Sequence, residues 1–292
     1  MGALDGRVAV ITGAGRGIGR EHALLFAAEG ASVVVNDLGG ANDGTGADAG
    51  LAQQVVDEIT AAGGRATANT DNVADWAGAA RLVEQAVSEY GRLDVVINNA
   101  GILRDTYLAG MDEAEWDAVI AVHLKGHAAV LRHAAAYWKA ESKAGRPVNG
   151  AVVNTASASG TTLPNAGQAN YGAAKAGIAA LTLVAADELS RYGVRANAIA
   201  PIARTRLTLA TPGMGAIFAQ EVAEGETDYF SPAQISPLVA YLSTENCPVT
   251  GTVYAVQGGS IQELAGWSVA KTAETEKPWT IDEVAAQLGG WS

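Results

Sequence analysis

The sequence holds one cysteine, Cys247, and few charged residues, which make up 17% of the chain. A lone cysteine cannot form an intramolecular disulfide, which is typical of proteins kept in a reducing compartment. Apolar runs are also short, since none reaches the roughly 18 residues that a membrane-spanning helix requires. Nucleic-acid binding depends on basic surface, whereas the net charge here is −12. We therefore expect neither a membrane span nor a nucleic-acid partner.

We expect no targeting signal at either end of the chain. The first residues, MGALDGRVAVITGAG, place an acid before the apolar stretch, unlike a signal peptide. The last residues, GGWS, do not form a peroxisomal SKL signal. Together with the single cysteine, these features predict a cytoplasmic protein.

Stretches typical of strands and of helices alternate along the 292 residues, 49% of which are hydrophobic. This alternation predicts an α/β fold, in which one doubly wound Rossmann-type domain has a seven-stranded parallel sheet with helices on both faces. The predicted strands lie at residues 7–12, 31–37, 65–69, 93–97, 149–154, 194–200 and 252–256. Helices are predicted after the first strand as far as residue 29, and at 47–62, 75–90, 112–144 and 168–192.

The chain shows no internal repeat and no linker, so one domain is expected over residues 1–260, followed by a C-terminal tail at 261–292. Within the domain, residues 203–230 break the alternation and predict a substrate loop. In the tail, Thr280–Glu283 has a capping-box pattern, which predicts the start of a short helix. Three tryptophans suggest that the tail packs against its own fold or a neighbouring subunit: Trp267, Trp279 and Trp291.

Glycines dominate the segment between the first predicted strand and the first helix, TGAGRGIG at 12–19. Glycines let the backbone approach a pyrophosphate, and the helix N-terminus supplies N–H donors. Asp37 ends the second strand 24 positions after Gly13, where an acid accepts hydrogen bonds from an adenosine ribose. A carboxylate there repels a 2′-phosphate, so these residues predict dinucleotide binding with NAD preferred over NADP. Arg16 is the opposing feature, because an arginine in this loop can bind that phosphate.

Tyr171 and Lys175 are spaced so that both side chains lie on one face of a helix. A tyrosine with its ordinary pKa of about 10 is a poor base at neutral pH. A nearby lysine cation favours the phenolate, so we expect Lys175 to lower the pKa of Tyr171. Ser157, at the end of the fifth strand, is predicted to hydrogen-bond the substrate oxygen on which charge develops.

These motifs occur together in the order of the short-chain dehydrogenase/reductase family. TGAGRGIG, NNAG at 98–101, Ser157, YGAAK at 171–175 and NAIAP at 197–201 resemble that family over about residues 6–260. The resemblance implies hydride transfer between a secondary alcohol and a nicotinamide, with Tyr171 as general base or acid, Lys175 as its electrostatic partner and Ser157 as substrate anchor. Ser159 is the alternative anchor, since Ser157 precedes Tyr171 by one position more than is usual. The implied cofactor-binding residues are Gly13, Gly15, Arg16, Gly17, Ile18, Gly19, Asp37, Asp71, Asn72, Val73, Asn99, Ala100, Gly101, Tyr171, Lys175, Pro201 and Thr205.

His123 stands where the family has a catalytic asparagine in the long helix. In the family that residue acts partly through its backbone carbonyl, which holds a water of a proton relay to the lysine. Two interpretations of His123 follow. In the first, which we favour, only its backbone carbonyl takes part, by holding the water; in the second, its imidazole titrates in catalysis. His123 and His127 also have the spacing of a metal pair. No glutamate lies between them and no third ligand is evident, so we expect no metal site.

Several stretches resemble one branch of the family, the (3R)-hydroxyacyl-CoA dehydrogenase domain of peroxisomal multifunctional enzyme type 2. They are VVVNDLGG, NNAGILRD, VHLKGH, SASG and GQANYGAAKAG, and the branch also has histidine at the His123 position. The resemblance implies a lipid-like alcohol, foremost a 3-hydroxyacyl-CoA. A hydroxysteroid dehydrogenase, a ketoreductase of secondary metabolism and an NAD-binding regulator are the alternatives.

The side chains around the predicted substrate loop fit such a substrate in part. Its apolar members suit an acyl chain or ring system, and they are Leu207, Leu209, Met214, Ile217 and Phe218. Three arginines are candidate contacts for CoA phosphates, namely Arg104, Arg204 and Arg206. The resemblance to the family further implies a homodimer or homotetramer that pairs through helices 112–144 and 168–192.

Overall fold

A computed structural model of the chain describes residues 2–211, 215–219, 222–223 and 225–291. Its centre is one eight-stranded sheet, whose strands are β1 (Val8–Thr12), β2 (Ser32–Asn36), β3 (Arg65–Asn69), β4 (Val95–Asn98), β5 (Gly150–Thr155), β6 (Val194–Pro201), β7 (Val253–Gln257) and β8 (Ser260–Leu264). The strand order is β3-β2-β1-β4-β5-β6-β7-β8. All neighbours from β3 to β7 pair in parallel, as predicted.

The strand β8 corrects the prediction of a sheet with seven strands, all parallel. It pairs antiparallel to β7, with Gln257 opposite Ser260. Gly258 and Gly259 form the tight turn between them, and Gly259 has a φ of +76°, which favours glycine. The predicted tail therefore contributes its first residues to the sheet.

Helices cover both faces of the sheet. They are α1 (Gly17–Ala28), α2 (Gly50–Ala61), α3 (Trp76–Tyr90), α4 (Glu113–Ile120), α5 (Gly126–Lys143), α6 (Ala169–Ser190), α7 (Arg206–Ala210), α8 (Gly215–Phe218), α9 (Ser236–Leu242) and α10 (Ile281–Gly289). The capping box at Thr280 is present and starts α10, as predicted. None of the helices in the described residues is long and apolar enough to cross a bilayer.

The predicted helix 112–144 is not continuous. A π-helical turn at Ala121–Lys125 separates α4 from α5 and contains His123. A single π-helical turn widens the helix locally and often marks a functional site. This turn allows the His123 side chain to lie against residues that follow β4, as described below.

Alternation along the strands gives the core two large clusters, one on each side of the sheet. In β1, Ala9 and Ile11 belong to the cluster that includes Phe26 of α1. Val8 and Val10 belong to the cluster that includes Trp138 of α5. Because successive side chains point to opposite faces, a strand buried on both sides is apolar on both, which is why β1 begins with the apolar run VAVI.

The tail beyond β8 is largely exposed. Trp267 is fully exposed, and Trp279 retains 42% of its accessible surface. Trp267 therefore does not pack against its own chain, whereas Trp279 is partly covered within it. Packing against a neighbouring subunit, the other expectation for the tail, remains a prediction.

Candidate active site

A cavity of about 550 Å³ opens at the carboxyl ends of the central parallel strands. The fold brings most of the predicted site residues to its wall: Gly13, Arg16, Gly17, Ile18, Asp37, Asp71, Asn72, Val73, Asn99, Ala100, Gly101, His123, Ser157, Tyr171, Lys175, Pro201 and Thr205. Gly15 and Gly19 are not among the lining residues. Ligands of open α/β sheets bind at this edge, where the strand order reverses.

The glycine loop is shaped by contacts that leave no space for side chains. A Cβ on Gly13, whose φ is +63°, would lie 2.8 Å from the Cα of Ala100. A Cβ on Gly19 would lie 2.2 Å from the Gly13 carbonyl oxygen. The bare backbone thus forms a cradle at the N-terminus of α1, the kind of position at which proteins bind phosphate groups.

Thr12 joins this loop to the NNAG segment, a role that was not predicted. Its Oγ1 accepts hydrogen bonds from the backbone N–H groups of Asn99, at 2.9 Å, and Ala100, at 3.1 Å. The Asn99 amide donates in return to the carbonyl oxygens of Thr12 and Gly13, at 3.1 and 3.2 Å. The two segments that line the cavity floor are therefore fixed to each other.

Asp37 lies at the end of β2 with both carboxylate oxygens bound to backbone. Gly15 N–H donates to Oδ2 at 2.8 Å, and Gly39 N–H donates to Oδ1 at 2.7 Å. A carboxylate offers about four acceptor positions, so further donors can still be accepted. Gly15 therefore acts by holding Asp37, which lines the cavity although Gly15 does not.

Two arginines converge beside Asp37 on one carbonyl oxygen. Arg16 Nη2 and Arg206 Nη1 donate to the oxygen of Gly40 at 2.7 and 2.9 Å. Arg16 Nε is buried and has no hydrogen-bond partner among the described residues. Burial, and then Arg16, lower the pKa of Arg206, while Asp37 raises it. The orphaned donor and the glycine loop fit the phosphate groups of a nicotinamide dinucleotide.

Asp71 and Asn72 line the same cavity as Asp37 and are predicted to contact the cofactor. The Asp71 carboxylate pairs with Arg81, whose Nη2 lies 2.6 Å from Oδ1. Asn72 Oδ1 accepts the backbone N–H of Ala74 at 2.9 Å. Both polar side chains are thus held in place at the cavity wall.

Lys175 and Tyr171 lie one helical turn apart at the start of α6. Lys175 is only 2% exposed, and its Nζ donates to the Thr155 carbonyl oxygen at 2.5 Å. The ammonium lies 5.5 Å from the centre of the Tyr171 ring. Burial lowers the pKa of Lys175 to about 7. Lys175 thus binds the last residue of β5 and also lies near the phenol ring.

The pKa of Tyr171 departs in the direction opposite to the one predicted. Its pKa is raised to about 12: burial has the largest effect, a hydrogen bond with the Ser157 side chain acts in the lowering direction, and the charge of Asp105 adds to the rise. Lys175 is not among the causes. The expectation that the lysine lowers the pKa was wrong for this structure: burial desolvates the phenolate, and Lys175, with a pKa of about 7, is no longer a cation at the pH where the phenol ionises.

Ser157, rather than Ser159, faces the cavity. Ser157 lines it and hydrogen-bonds Tyr171. Ser159 donates its backbone N–H to Ser157 Oγ at 3.2 Å, while its own Oγ is buried without a partner in the described residues. The geometry thus favours Ser157 as the anchor and gives Ser159 the task of orienting it.

His123 is 1% exposed and is held by backbone atoms. Its Nε2 lies 2.8 Å from the carbonyl oxygen and 3.0 Å from the amide nitrogen of Ile102. Burial first, and then Lys175, lower its pKa to about 3. The imidazole is therefore neutral at working pH, which disfavours the interpretation of His123 as a group that titrates in catalysis.

The predicted substrate residues divide into cavity wall and core. Leu207 and Leu209 line the cavity, whereas Phe218 is 2% exposed and packs against Phe230 with ring centroids 5.1 Å apart. Phe218 is therefore a core residue, contrary to expectation. Met214 and the side chain of Ile217 lie outside the described residues.

The three arginines predicted as CoA contacts all bind the protein itself. Arg204 forms an ion pair with Asp228 at 2.9 Å. Arg104 Nε donates to the Asp43 carbonyl oxygen at 2.9 Å, and Arg206 binds Gly40. These bonds weaken the prediction, because each guanidinium is already engaged in joining loops.

No cluster of three or more histidine, cysteine or acidic side chains suited to a metal ion occurs within the described ranges. His127 is buried beside His123 and Lys175, which both lower its pKa after burial itself.

Comparison with known proteins agrees with this geometry. The family model described as short chain dehydrogenase matches residues 7–211. The chain is 48% identical over 265 residues to hydroxyacyl-CoA dehydrogenase ChsB1 of Mycobacterium tuberculosis, a match that covers 88% of this chain and 79% of that protein. It is 42% identical over 264 residues to peroxisomal multifunctional enzyme type 2 of Drosophila melanogaster, covering 90% of this chain and 40% of that enzyme.

Solved structures match as well. The crystal structure of a short chain dehydrogenase from Mycobacterium avium has a TM-score of 0.87 and 52% identity, and the match covers 99% of this chain and 96% of that one. A short chain dehydrogenase from Burkholderia cenocepacia in complex with NADP has a TM-score of 0.74 and 28% identity, covering 88% and 98%. The family binds nicotinamide cofactors. This chain is an oxidoreductase and belongs to the short-chain dehydrogenase/reductase family.

Proposed function

We propose that this oxidoreductase oxidises a secondary alcohol with NAD, or reduces the corresponding ketone, on a lipid-like substrate that is foremost a 3-hydroxyacyl-CoA. One observation carries the proposal: Tyr171, Ser157 and Lys175 meet in the same cavity as the glycine loop. The wall of that cavity thus combines a phosphate cradle with a phenol that can exchange a proton.

Each member of this group has a distinct task. Ser157 orients the substrate oxygen, and Tyr171 accepts the hydroxyl proton during oxidation or donates it during ketone reduction. When bound, a nicotinamide ring supplies the hydride acceptor or donor. Burial keeps the Tyr171 phenol protonated at neutral pH, which suits proton donation to a ketone. In the oxidation direction the rate therefore rises with pH as the phenol ionises.

Asp37 supports NAD as the cofactor. Its two backbone hydrogen bonds leave acceptor positions for ribose hydroxyl groups, and its charge repels a 2′-phosphate. Arg16 and Arg206 favour that phosphate, but each already donates to Gly40. We give Asp37 the greater weight because it occupies the position where a ribose would bind.

Two observations support an acyl-CoA substrate: the similarity to named relatives and the apolar side chains on the cavity wall. Two relatives carry names of hydroxyacyl-CoA or peroxisomal multifunctional enzymes. Leu207 and Leu209 line the cavity on the side of α7, where an acyl chain would lie. A hydroxysteroid dehydrogenase or a ketoreductase of secondary metabolism would use the same site and is the alternative.

A substrate panel followed by NADH absorbance tests the function. The panel contains 3-hydroxyacyl-CoA thioesters, hydroxysteroids and simple secondary alcohols, each offered with NAD and with NADP. We expect the highest kcat/KM for a 3-hydroxyacyl-CoA with NAD. Highest activity on a hydroxysteroid would favour the alternative enzyme. Binding of NAD without turnover of any alcohol would favour a regulator.

We further propose a homodimer or homotetramer formed through α4, α5 and α6. Apolar side chains remain exposed there in the single chain, such as Val184 at 55% and Trp116 at 38%. Residues 1–260 form the proposed catalytic domain, with 203–230 as its substrate loop and 261–292 as its tail. The buried free thiol of Cys247 supports a cytoplasmic location.

A further inference from the structure

Three consecutive residues that follow β4 contact the first turn of α6, the helix that carries Tyr171. The contacts join Arg104 O with Asn170 Nδ2 at 3.0 Å, Asp105 Oδ2 with Gln168 Nε2 at 2.8 Å, and Gly167 O with Thr106 N at 2.9 Å. Asn170 Oδ1 in turn accepts the backbone N–H of Tyr171 at 2.7 Å. The location of the phenol therefore depends on the segment 104–106.

Asp105 is the unusual member of this segment. Its Oδ2 accepts from Gln168, which is 6% exposed, but its Oδ1 is buried without a hydrogen-bond partner in the part of the chain that the structure describes. A half-satisfied buried carboxylate costs free energy that a neutral amide would avoid. An aspartate at this position therefore costs stability that an asparagine would not. The property that asparagine lacks is the negative charge, so we infer that the charge has a role.

The charge of Asp105 acts on Tyr171. Lys175 and His123 lie against the phenol ring, the Ser157 side chain hydrogen-bonds it, and Asp105 binds Gln168 at the start of the same helix. His123 is neutral at working pH and Ser157 carries no charge. Asp105 is therefore the anion among these groups, and it raises the pKa of Tyr171.

We propose that Asp105 is a positioning residue for the proton transfer: through Gln168 it fixes the first turn of α6, and its half-satisfied carboxylate places a negative charge in the segment that binds this turn. The inference rests on the proposed role of Tyr171 as acid and base. Asp105 is not among the cavity-lining residues, so it acts through its neighbours and not on the substrate.

Three substitutions separate the charge from the contact. Asp105→Asn keeps an oxygen that accepts from Gln168 and removes the charge. Asp105→Ala removes both. Glu115→Gln is the matched control, because Glu115 accepts from Thr106 Oγ1 at 2.9 Å and caps α4, and glutamine also serves in a capping box. It removes an equal charge beside the same segment.

The pH profile of kcat/KM for alcohol oxidation is the first measurement. Asp105→Asn is expected to move its half-maximum to lower pH by roughly half to one unit, and Glu115→Gln to leave it in place. Asp105→Ala is expected to show the same shift and a plateau kcat lower by about tenfold, because the helix turn is no longer fixed. If the pH profile of Asp105→Asn coincides with that of the wild type, the inference is overturned. The same holds if Asp105→Asn and Asp105→Ala have equal plateau values of kcat.

A titration without substrate separates this inference from the proposed function. The protein is labelled with fluorotyrosine, and the ¹⁹F resonance of position 171 is assigned by its loss in Tyr171→Phe. Asp105→Asn is expected to lower the pH at which that resonance titrates, whether or not any alcohol is oxidised. If Asp105→Asn fails to fold, Gln168→Leu, which keeps the charge, is expected to reduce kcat without lowering the half-maximal pH. An unchanged kcat would overturn the positioning role.

Discussion

The imidazole of His123 packs edge-on against the phenol ring of Tyr171, with ring centroids 5.1 Å apart and ring planes at 82°. The π-helical turn carries the histidine, and the backbone of Ile102 holds its Nε2. A Cβ on Gly101 would lie 2.5 Å from its Cε1, so the glycine of NNAG makes room for the ring. His123 therefore supports the phenol from one side as a neutral ring.

Replacing His123 by asparagine, the usual residue of the family, is expected to be mild. Loss of the aromatic contact is worth about 0.5–1.5 kcal/mol, so kcat should fall by less than about tenfold. Because the pKa of His123 is about 3, neither protein should show a limb of the kcat profile near the ordinary histidine pKa. A wild-type limb near pH 6.5 that the variant lacks would support the titrating role instead.

Tyr171→Phe is expected to retain NAD binding and to lose turnover by about 10²–10⁴-fold, because the phenol oxygen is the group that exchanges the proton. Calorimetry measures the binding, and NADH absorbance measures the rate. Tyr241→Phe on α9, where the side chain is 50% exposed, is the control and should keep full activity. Comparable rates in the two variants would remove Tyr171 from the mechanism.

Asp37→Ala is expected to lower the ratio of kcat/KM for NAD to that for NADP by at least about tenfold, since one carboxylate no longer repels the 2′-phosphate. Arg206→Gln provides the counterpart, because Arg206 lies beside Asp37 and shares Gly40 with Arg16. In the double variant the gain in NADP use should be smaller than in Asp37→Ala. A cofactor ratio that Asp37→Ala leaves unchanged would contradict the ribose role.

Gly13→Ala tests the cradle of the glycine loop. At a φ of +63° the methyl group costs about 1–2 kcal/mol in backbone strain, and it would also approach the backbone of Ala100. Gly63→Ala has a similar positive φ of +85° with open space around the new Cβ, so it controls for strain alone. Both variants should lose stability, but only Gly13→Ala should lose NAD binding in a calorimetric titration. Equal retention of binding would show that the close approach is unimportant.

The fold could be predicted where burial leaves its mark on the sequence. Strands covered on both faces, such as β1 and β2, carry uninterrupted apolar runs, VAVI and VVV, and were found by that property. The strand β8 was missed because its side chains are half or fully exposed, so its sequence SIQEL carries no such signal. The interruption of helix 112–144 was missed because helix propensity does not distinguish a π-helical turn from α-helix.

The candidate site shows the same division. The glycine loop and the Tyr171–Lys175 pair could be predicted from the sequence, because each is a motif of residues that are close together in the chain. Arg206 and Gly40 lie 166 positions apart, and Asp105 lies 63 positions before Gln168, so only the folded chain brings them together. The pKa direction of Tyr171 also depends on burial, which cannot be derived from the spacing of two residues.

The buried histidine His22 makes the free energy of unfolding depend on pH. It is fully buried between α1 and α9, with Nδ1 2.8 Å from Ser236 Oγ, and burial lowers its pKa to about 3. The unfolded chain has the ordinary value near 6.5, so between these two values the unfolded state binds a proton that the native state does not. The free energy of unfolding therefore falls as the pH falls through this window, by about 1.4 kcal/mol per unit for this group.

His22→Asn is expected to remove that contribution, although His123 and His127, which are also buried, keep part of the slope. Urea unfolding at several pH values between about 5 and 7 measures the slope for each protein. His133→Asn is the control, because its ring is only partly buried and its slope should stay close to that of the wild type. If the curves of His22→Asn and the wild type run parallel, the buried imidazole of His22 is not what destabilises the fold in acid.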